Sequence, residues 1–183
     1  MTTYISILRG INVGGHRMIK MDALKQMFAG IGFQNIQTYI QSGNIVFQDK
    51  KADPQKLEKK ISKAITEKFG FDVPVIVKEF SELKQIISDN PFLKDKTKDL
   101  AHFHVTFLSN HPGHESYNKI EAIPYQPDEF HLVEKAIYLY CPNSYSNSKL
   151  TNGFFETKLK VTATTRNWKT TNELYNIATK ISN

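Results

Sequence analysis

The chain has 183 residues, 40% of them hydrophobic and 23% charged, with a formal net charge of +6. A chain of that length buries roughly 70% of its unfolded surface, so its fold needs no metal or disulfide staple. The single cysteine, Cys141, excludes an internal disulfide and fits a reducing, cytoplasmic setting. No apolar stretch approaches the ~20 residues that cross a bilayer. A secretion signal with a basic start, an apolar run and a small-residue cleavage site is also missing, so no membrane partner is expected.

Residues 4–8 read as a strand, with Ile5 and Ile7 on one face. Met21, Leu24, Met27, Phe28 and Ile31 keep helical spacing, and Gly30 and Gly32 mark the end of that helix. Residues 36–40 and 44–48 are short strands joined by a tight polar turn at Ser42 and Gly43. Asp53 and Pro54 open a second helix, one side of which runs through Leu57, Ile61, Ala64, Ile65 and Lys68 to a stop at Gly70. Residues 73–78 form another strand, which Pro74 confines to a sheet edge. That order, β-α-β-β-α-β, is the ferredoxin-like unit.

A helix at 81–88 is broken by Asn90 and Pro91, and the Lys/Asp-alternating residues 93–99 read as a linker. A similar series then follows: strand 103–108, a helix around 115–122, strands 130–133 and 136–141, a helix over 148–159 and a last helix from about 167 to 181. The expected fold is α+β, with duplicated ferredoxin-like β-α-β-β-α modules, antiparallel sheets and an extra C-terminal helix. The first module covers 1–80, the helix and linker 81–99, and the second module with the C-terminal helix 100–183.

In such a sheet the spatial strand order is 4-1-3-2, with every neighbouring pair antiparallel. The exit of the first strand and the turn between the second and third then lie at one end, on adjacent strands. Residues 9–17 should therefore sit beside residues 41–44. The first connector is about a dozen residues long, where such loops usually take ~2–6. It holds three glycines and two of the three arginines in the chain. Glycine lets a backbone turn its N–H groups toward a ligand, and arginine supplies a planar donor fork.

Arg9, Gly10, Asn12, Gly14, Gly15 and Arg17 thus form a candidate anion nest, and Gln41, Ser42 and Asn44 add neutral donors and acceptors beside it. The structural alternative is a wide glycine turn with Arg9 paired to a carboxylate, and a plain hairpin turn at 42–44. The skeleton Gly10-x-x-x-x-Gly15 invites comparison with a phosphate-binding P-loop. His16 and Arg17 stand where Lys and Ser/Thr are needed, so nucleotide hydrolysis is not expected. No base can be assigned to Ser42, for which His16 on the neighbouring connector is the only nearby candidate, so a nucleophilic serine is not expected either.

Thr164, Thr165, Arg166, Asn167 and Trp168 read as the opening of the last helix. Threonine is a good N-cap, and free N–H groups at a helix start attract anions. Arg166 in the first turn opposes the helix dipole unless an anion offsets it, so it is a candidate ligand-binding residue that joins the site only if the second module folds over that end of the first sheet. Its structural alternative is an ion pair holding the modules together. Trp168, Leu174, Ile177 and Ile181 read as a core stripe. His102, His104, His131, Tyr138 and Tyr140 are expected to share the non-helix face of the second sheet. That half lacks the basic-glycine-aromatic signature of an RNA-recognition motif. An extended chain from His104 to His111 covers about 20 Å, so a metal centre with His114 and Glu115 is not expected.

Residues 8–15 (Leu-Arg-Gly-Ile-Asn-Val-Gly-Gly), 39–44 (Tyr-Ile-Gln-Ser-Gly-Asn) and 164–168 (Thr-Thr-Arg-Asn-Trp) resemble three signatures of an uncharacterised bacterial family, domain of unknown function 1697. The resemblance implies an α+β fold of two related subdomains. It brings no established activity, substrate or cofactor, so no catalytic residue carries over. The expected function is that of a cytoplasmic protein holding a small phosphate- or carboxylate-bearing ligand between residues 9–17 and 41–44. Nucleic-acid binding is an alternative, because residues 1–81 carry 12 Lys and Arg against 7 Asp and Glu. Lys56, Lys59, Lys60 and Lys63 can equally be a solvated helix face. A protein-interaction module is the third reading.

Overall fold

Two periodicities, two residues in strands and 3.6 in helices, build the first unit. In the computed structural model, which describes all residues Met1–Asn183, the chain runs β1 (Thr2–Leu8), α1 (Met21–Gly30), β2 (Gln34–Tyr39), β3 (Asn44–Asp49), α2 (Pro54–Phe69) and β4 (Val75–Glu79). The sheet order is β2-β3-β1-β4, with every neighbouring pair antiparallel. Tyr4 pairs with Phe47 across β1 and β3, and both face the core with Leu8, Leu24, Phe28, Leu57, Ile61 and Ile65. Phe33 stacks on Phe47 with ring centroids 4.3 Å apart, and Phe28 meets Phe47 edge-on. α2 begins where the Asp53 carboxylate accepts from the Gln55 N–H, with Pro54 at the first helical position.

The second unit repeats this topology with β5 (Phe103–Leu108), α4 (His114–Glu121), β6 (Glu129–Val133), β7 (Ala136–Tyr140), α5 (Asn152–Leu159) and β8 (Ala163–Asn167). Its sheet order is β6-β7-β5-β8. Leu108, Ile137, Leu139, Phe155 and Leu159 form its core. By their contacts the units are Met1–Gln85 with Asn172–Asn183, and Ile86–Thr171. The last helix, α6 (Trp168–Ser182), thus contributes its residues from Asn172 onward to the first unit, rather than staying with residues 100–183. Gln48 Nε2 donates to the Ile181 carbonyl (3.2 Å) and Ser182 Oγ to Thr3 Oγ1 (2.8 Å), which ties the chain end to β1 and β3.

Several expectations need correction. Residues 163–167 are strand, not helix start: they pair with β5 from Leu108↔Ala163 to His104↔Asn167. Thr164 and Thr165 suit a strand as well as an N-cap, and the free edge of β5 decides between the two. His104 does not share a face with Tyr138. It stands opposite Leu139, one register step away, and stacks on Tyr145. Burial pushes its imidazole pKa down. Phe103, Val105 and Tyr138 occupy the other face and are fully buried or nearly so, and the Tyr138 hydroxyl donates to the Ile86 carbonyl (2.9 Å).

Residues 81–99 are more than a helix and linker. After α3 (Phe80–Ser88) come short 3-10 turns at Pro91–Lys94 and Leu100–His102, and buried Phe92 packs on Phe103, His131 and Tyr140. The helix expected over 148–159 begins only at Asn152, where Thr151 caps it through the Phe154 N–H.

Cys141 is buried, and desolvation pushes its thiol up to about 11. We expect the native protein to resist iodoacetamide at pH 8 and to react fully once unfolded. Labelling at equal rates in both states would show the thiol to be accessible.

Candidate functional site

β1 ends at Leu8, whose N–H donates to the Gly43 carbonyl (2.8 Å), and the next N–H, from Arg9, donates to the Pro74 carbonyl (3.1 Å). The connector 9–20 and the turn 40–43 therefore leave the sheet at one rim, as the strand order requires. The connector is pinned at two points. Ile11 and Ile19 are buried in the first core, while residues 13–18 between them are exposed. Two apolar anchors with glycines between them shape a loop fixed at its feet and open at its tip.

Asn12 joins the two loops. Its Nδ2 donates to the Ile19 carbonyl (2.9 Å) and to the Gln41 carbonyl (2.7 Å), and its Oδ1 accepts from the Ile19 N–H (2.8 Å). Its own N–H donates to the Arg17 carbonyl (3.2 Å), and Val13 pairs with His16 across the tip. On the turn, buried Asn44 donates through Nδ2 to the Tyr39 carbonyl (3.1 Å) and to Ser42 Oγ (2.9 Å). The Asn12 and Asn44 side chains thus position the loops. Gly10, Gly14, Gly15, His16, Arg17 and Gln41 are exposed, and Arg9 is half-buried.

Backbone geometry singles out the same rim. Gly10, Asn12, Gly14, Gly15, Arg17, Ile40 and Gly43 all have positive φ, seven of the thirteen such residues in the chain. Ile40, at φ +50°, is β-branched, the residue class least suited to that region. The second unit is an internal control. Its corresponding connector takes five residues (109–113) where the first takes twelve (9–20), and its hairpin turn takes two (134–135) where the first takes four (40–43). The topology closes without a long glycine loop, so the fold alone does not explain one.

The first 48 residues contain a single acidic residue, Asp22, against Arg9, Arg17, Lys20 and Lys25. Arg166 is placed differently from the expectation: it sits on β8 in the second unit, where its Nη1 donates to the Thr165 carbonyl (3.0 Å). Burial pulls its pKa down. α6 begins two residues later, so Arg166 does not stand in the first turn of a helix. Sequence reading also passed over Val13, Met18 and Ile40, which are exposed at this rim. Their one signal was apolar character within a polar, glycine-rich loop.

A profile for proteins of unknown function, DUF1697, matches residues 1–138. The chain belongs to that family. Two of the three signature segments, 8–15 and 39–44, fall inside the match. No curated protein matches the chain. Among solved structures, this DUF1697 protein is similar to the conserved bacterial protein SP0830 from Streptococcus pneumoniae. The two are 21% identical, with a TM-score of 0.75 over 97% of this chain and 98% of that one. At that identity the likeness is one of fold, and a fold by itself carries no activity. No helix is long and apolar enough to cross a membrane.

Proposed function

We propose that this DUF1697 protein binds a phosphate- or carboxylate-bearing anion at the rim made by residues 9–17 and 41–44. The Gly14 and Gly15 amides and the Arg17 guanidinium hold the ligand, Arg9 adds charge beneath, and Asn12 sets the geometry. The observation that carries the reading is the contrast between two connectors of one topology, twelve residues against five. The extra residues are those with positive φ and with guanidinium groups. Successive amides in such conformations make an anion-binding concavity. Binding is assigned and no bond-making step.

The test is a titration with inorganic phosphate and then sulfate, followed on the amide resonances of Gly14 and Gly15. Saturable shifts are expected, and Arg17→Gln should weaken binding roughly ten- to a hundredfold, because a charge-assisted hydrogen bond is worth ~1.5–3 kcal/mol. Silent Gly14 and Gly15 amides, or equal binding by an Arg9→Gln/Arg17→Gln double variant, would falsify the assignment.

The nucleic-acid reading rests on a different surface, the exposed Lys56, Lys59, Lys60 and Lys63 of α2. It predicts oligonucleotide affinity that falls with salt at a log–log slope of about −0.7 per phosphate neutralised on a single strand. On that reading Lys59→Gln weakens binding and Arg17→Gln leaves it unchanged.

A further inference from the structure

Val13, Met18 and Ile40 are 64%, 63% and 50% exposed. Val13 and Met18 flank the tip of the connector, and Ile40 adjoins Gln41, whose carbonyl the Asn12 amide holds. Ile40 keeps this exposure in a left-handed conformation that asparagine or glycine adopts far more readily. The turn therefore holds an aliphatic side chain in solvent against its backbone preference. On the same connector as Val13 and Met18 stand the exposed His16, Arg17 and Lys20, with no acidic side chain between Met1 and Met21.

A small inorganic anion neutralises the guanidinium but leaves three apolar side chains in water. A nucleic acid supplies charge, yet Val13, Met18 and Ile40 offer its bases no ring to stack on. An acidic polypeptide with aliphatic side chains meets both requirements: carboxylate for the cations, hydrocarbon for the hydrocarbon. Met and Arg are also the side chains enriched where protein partners bury a surface.

We propose that this rim docks an acidic, aliphatic-bearing segment of a protein partner. An Asp or Glu carboxylate of the segment occupies the cradle of Gly14, Gly15 and Arg17, and its aliphatic neighbours cover Val13, Met18 and Ile40. The proposal rests on the anion-cradle reading and names the molecule that carries the anion.

The experiment selects random peptides displayed on phage against the full chain, then measures each enriched peptide by fluorescence anisotropy. Two variants are compared with the wild type: Val13→Ser/Met18→Gln/Ile40→Asn and Arg17→Gln. All four positions are exposed and asparagine suits the backbone at 40, so both variants should melt close to the wild type.

The expected result is enrichment of sequences that set Asp or Glu beside Leu, Ile, Val or Met. Their affinity should fall about tenfold or more in each variant, the loss typical of a hot-spot contact. It should also weaken with salt. If no acidic-aliphatic sequence is enriched, or if enriched peptides bind the triple variant as well as the wild type, the docking proposal is overturned. Phosphate binding at Gly14 and Gly15 would then still stand on its own titration. If peptides need the three aliphatic residues but ignore Arg17→Gln, the cradle is overturned. Binding of phosphatidylserine vesicles or oligonucleotides that is lost in the triple variant, with no peptide selected, overturns the protein partner as occupant.

Discussion

Gly43→Ala should destabilise the first unit by about 2–5 kcal/mol, seen as a lower urea midpoint at unchanged slope. Two independent effects add at this position. Gly43 has φ +80°, where an L side chain costs ~1–2 kcal/mol. A Cβ built there would also lie 2.7 Å from Leu8 Cβ and 2.9 Å from Ile11 Cδ1, both on buried core residues. Overpacking of that kind costs ~1–3 kcal/mol. The turn cannot easily back away, because the Gly43 carbonyl accepts the Leu8 N–H and so ties it to the end of β1. Gly15→Ala is the control: φ is +77°, and no atom lies within 4 Å of the added carbon. It should show the backbone effect alone, about 1–2 kcal/mol. If both variants lose the same amount, the close approach of the two loops is not what holds Gly43.

Asn12→Ala should cost about 2–4 kcal/mol and disorder the rim. The change removes three hydrogen bonds, two of them to carbonyl groups in different segments of the chain, residues 19 and 41. Each bond contributes ~0.5–1.5 kcal/mol. It also puts alanine at φ +54°, a region that asparagine tolerates and alanine does not. Asn12→Gly separates the two causes, since it keeps the backbone preference and loses only the bonds, so its cost should lie between wild type and Asn12→Ala. Amide hydrogen exchange should accelerate at Ile19, whose N–H donates to Asn12 Oδ1. A midpoint for Asn12→Ala within ~0.5 kcal/mol of the wild type would mean that the anchors Ile11 and Ile19 hold the connector unaided.

Much of the architecture is legible in the sequence. The Asp53-Pro54 start of α2, the spacing of Leu57, Ile61 and Ile65, and the placing of β4 at an edge after Pro74 all rest on local chemistry. From them follow the strand order and the meeting of residues 9–17 with 41–44. Legibility failed at residues 163–167. A Thr-Thr-Arg-Asn segment satisfies helix capping and strand pairing about equally, and only the vacant edge of β5 breaks the tie. It failed again at His104, where one step of register sends a side chain to the opposite face.

The candidate site divides along the same line. Its location came from topology and from the clustering of glycine and arginine, which are properties of the chain itself. The work of its residues did not. Asn12 looked like a ligand donor, yet its amide reaches partners 7 and 29 positions away and holds the loops in place. Arg166 reads as the first turn of a helix and lies on a strand of the second unit. Local sequence order dictated the periodicities, the breaks and the direction of each strand, because those depend on neighbours within a few residues. Edge pairing, the partners of buried amides and the exposure of Val13, Met18 and Ile40 were settled only by packing, because each depends on atoms brought together from distant parts of the chain.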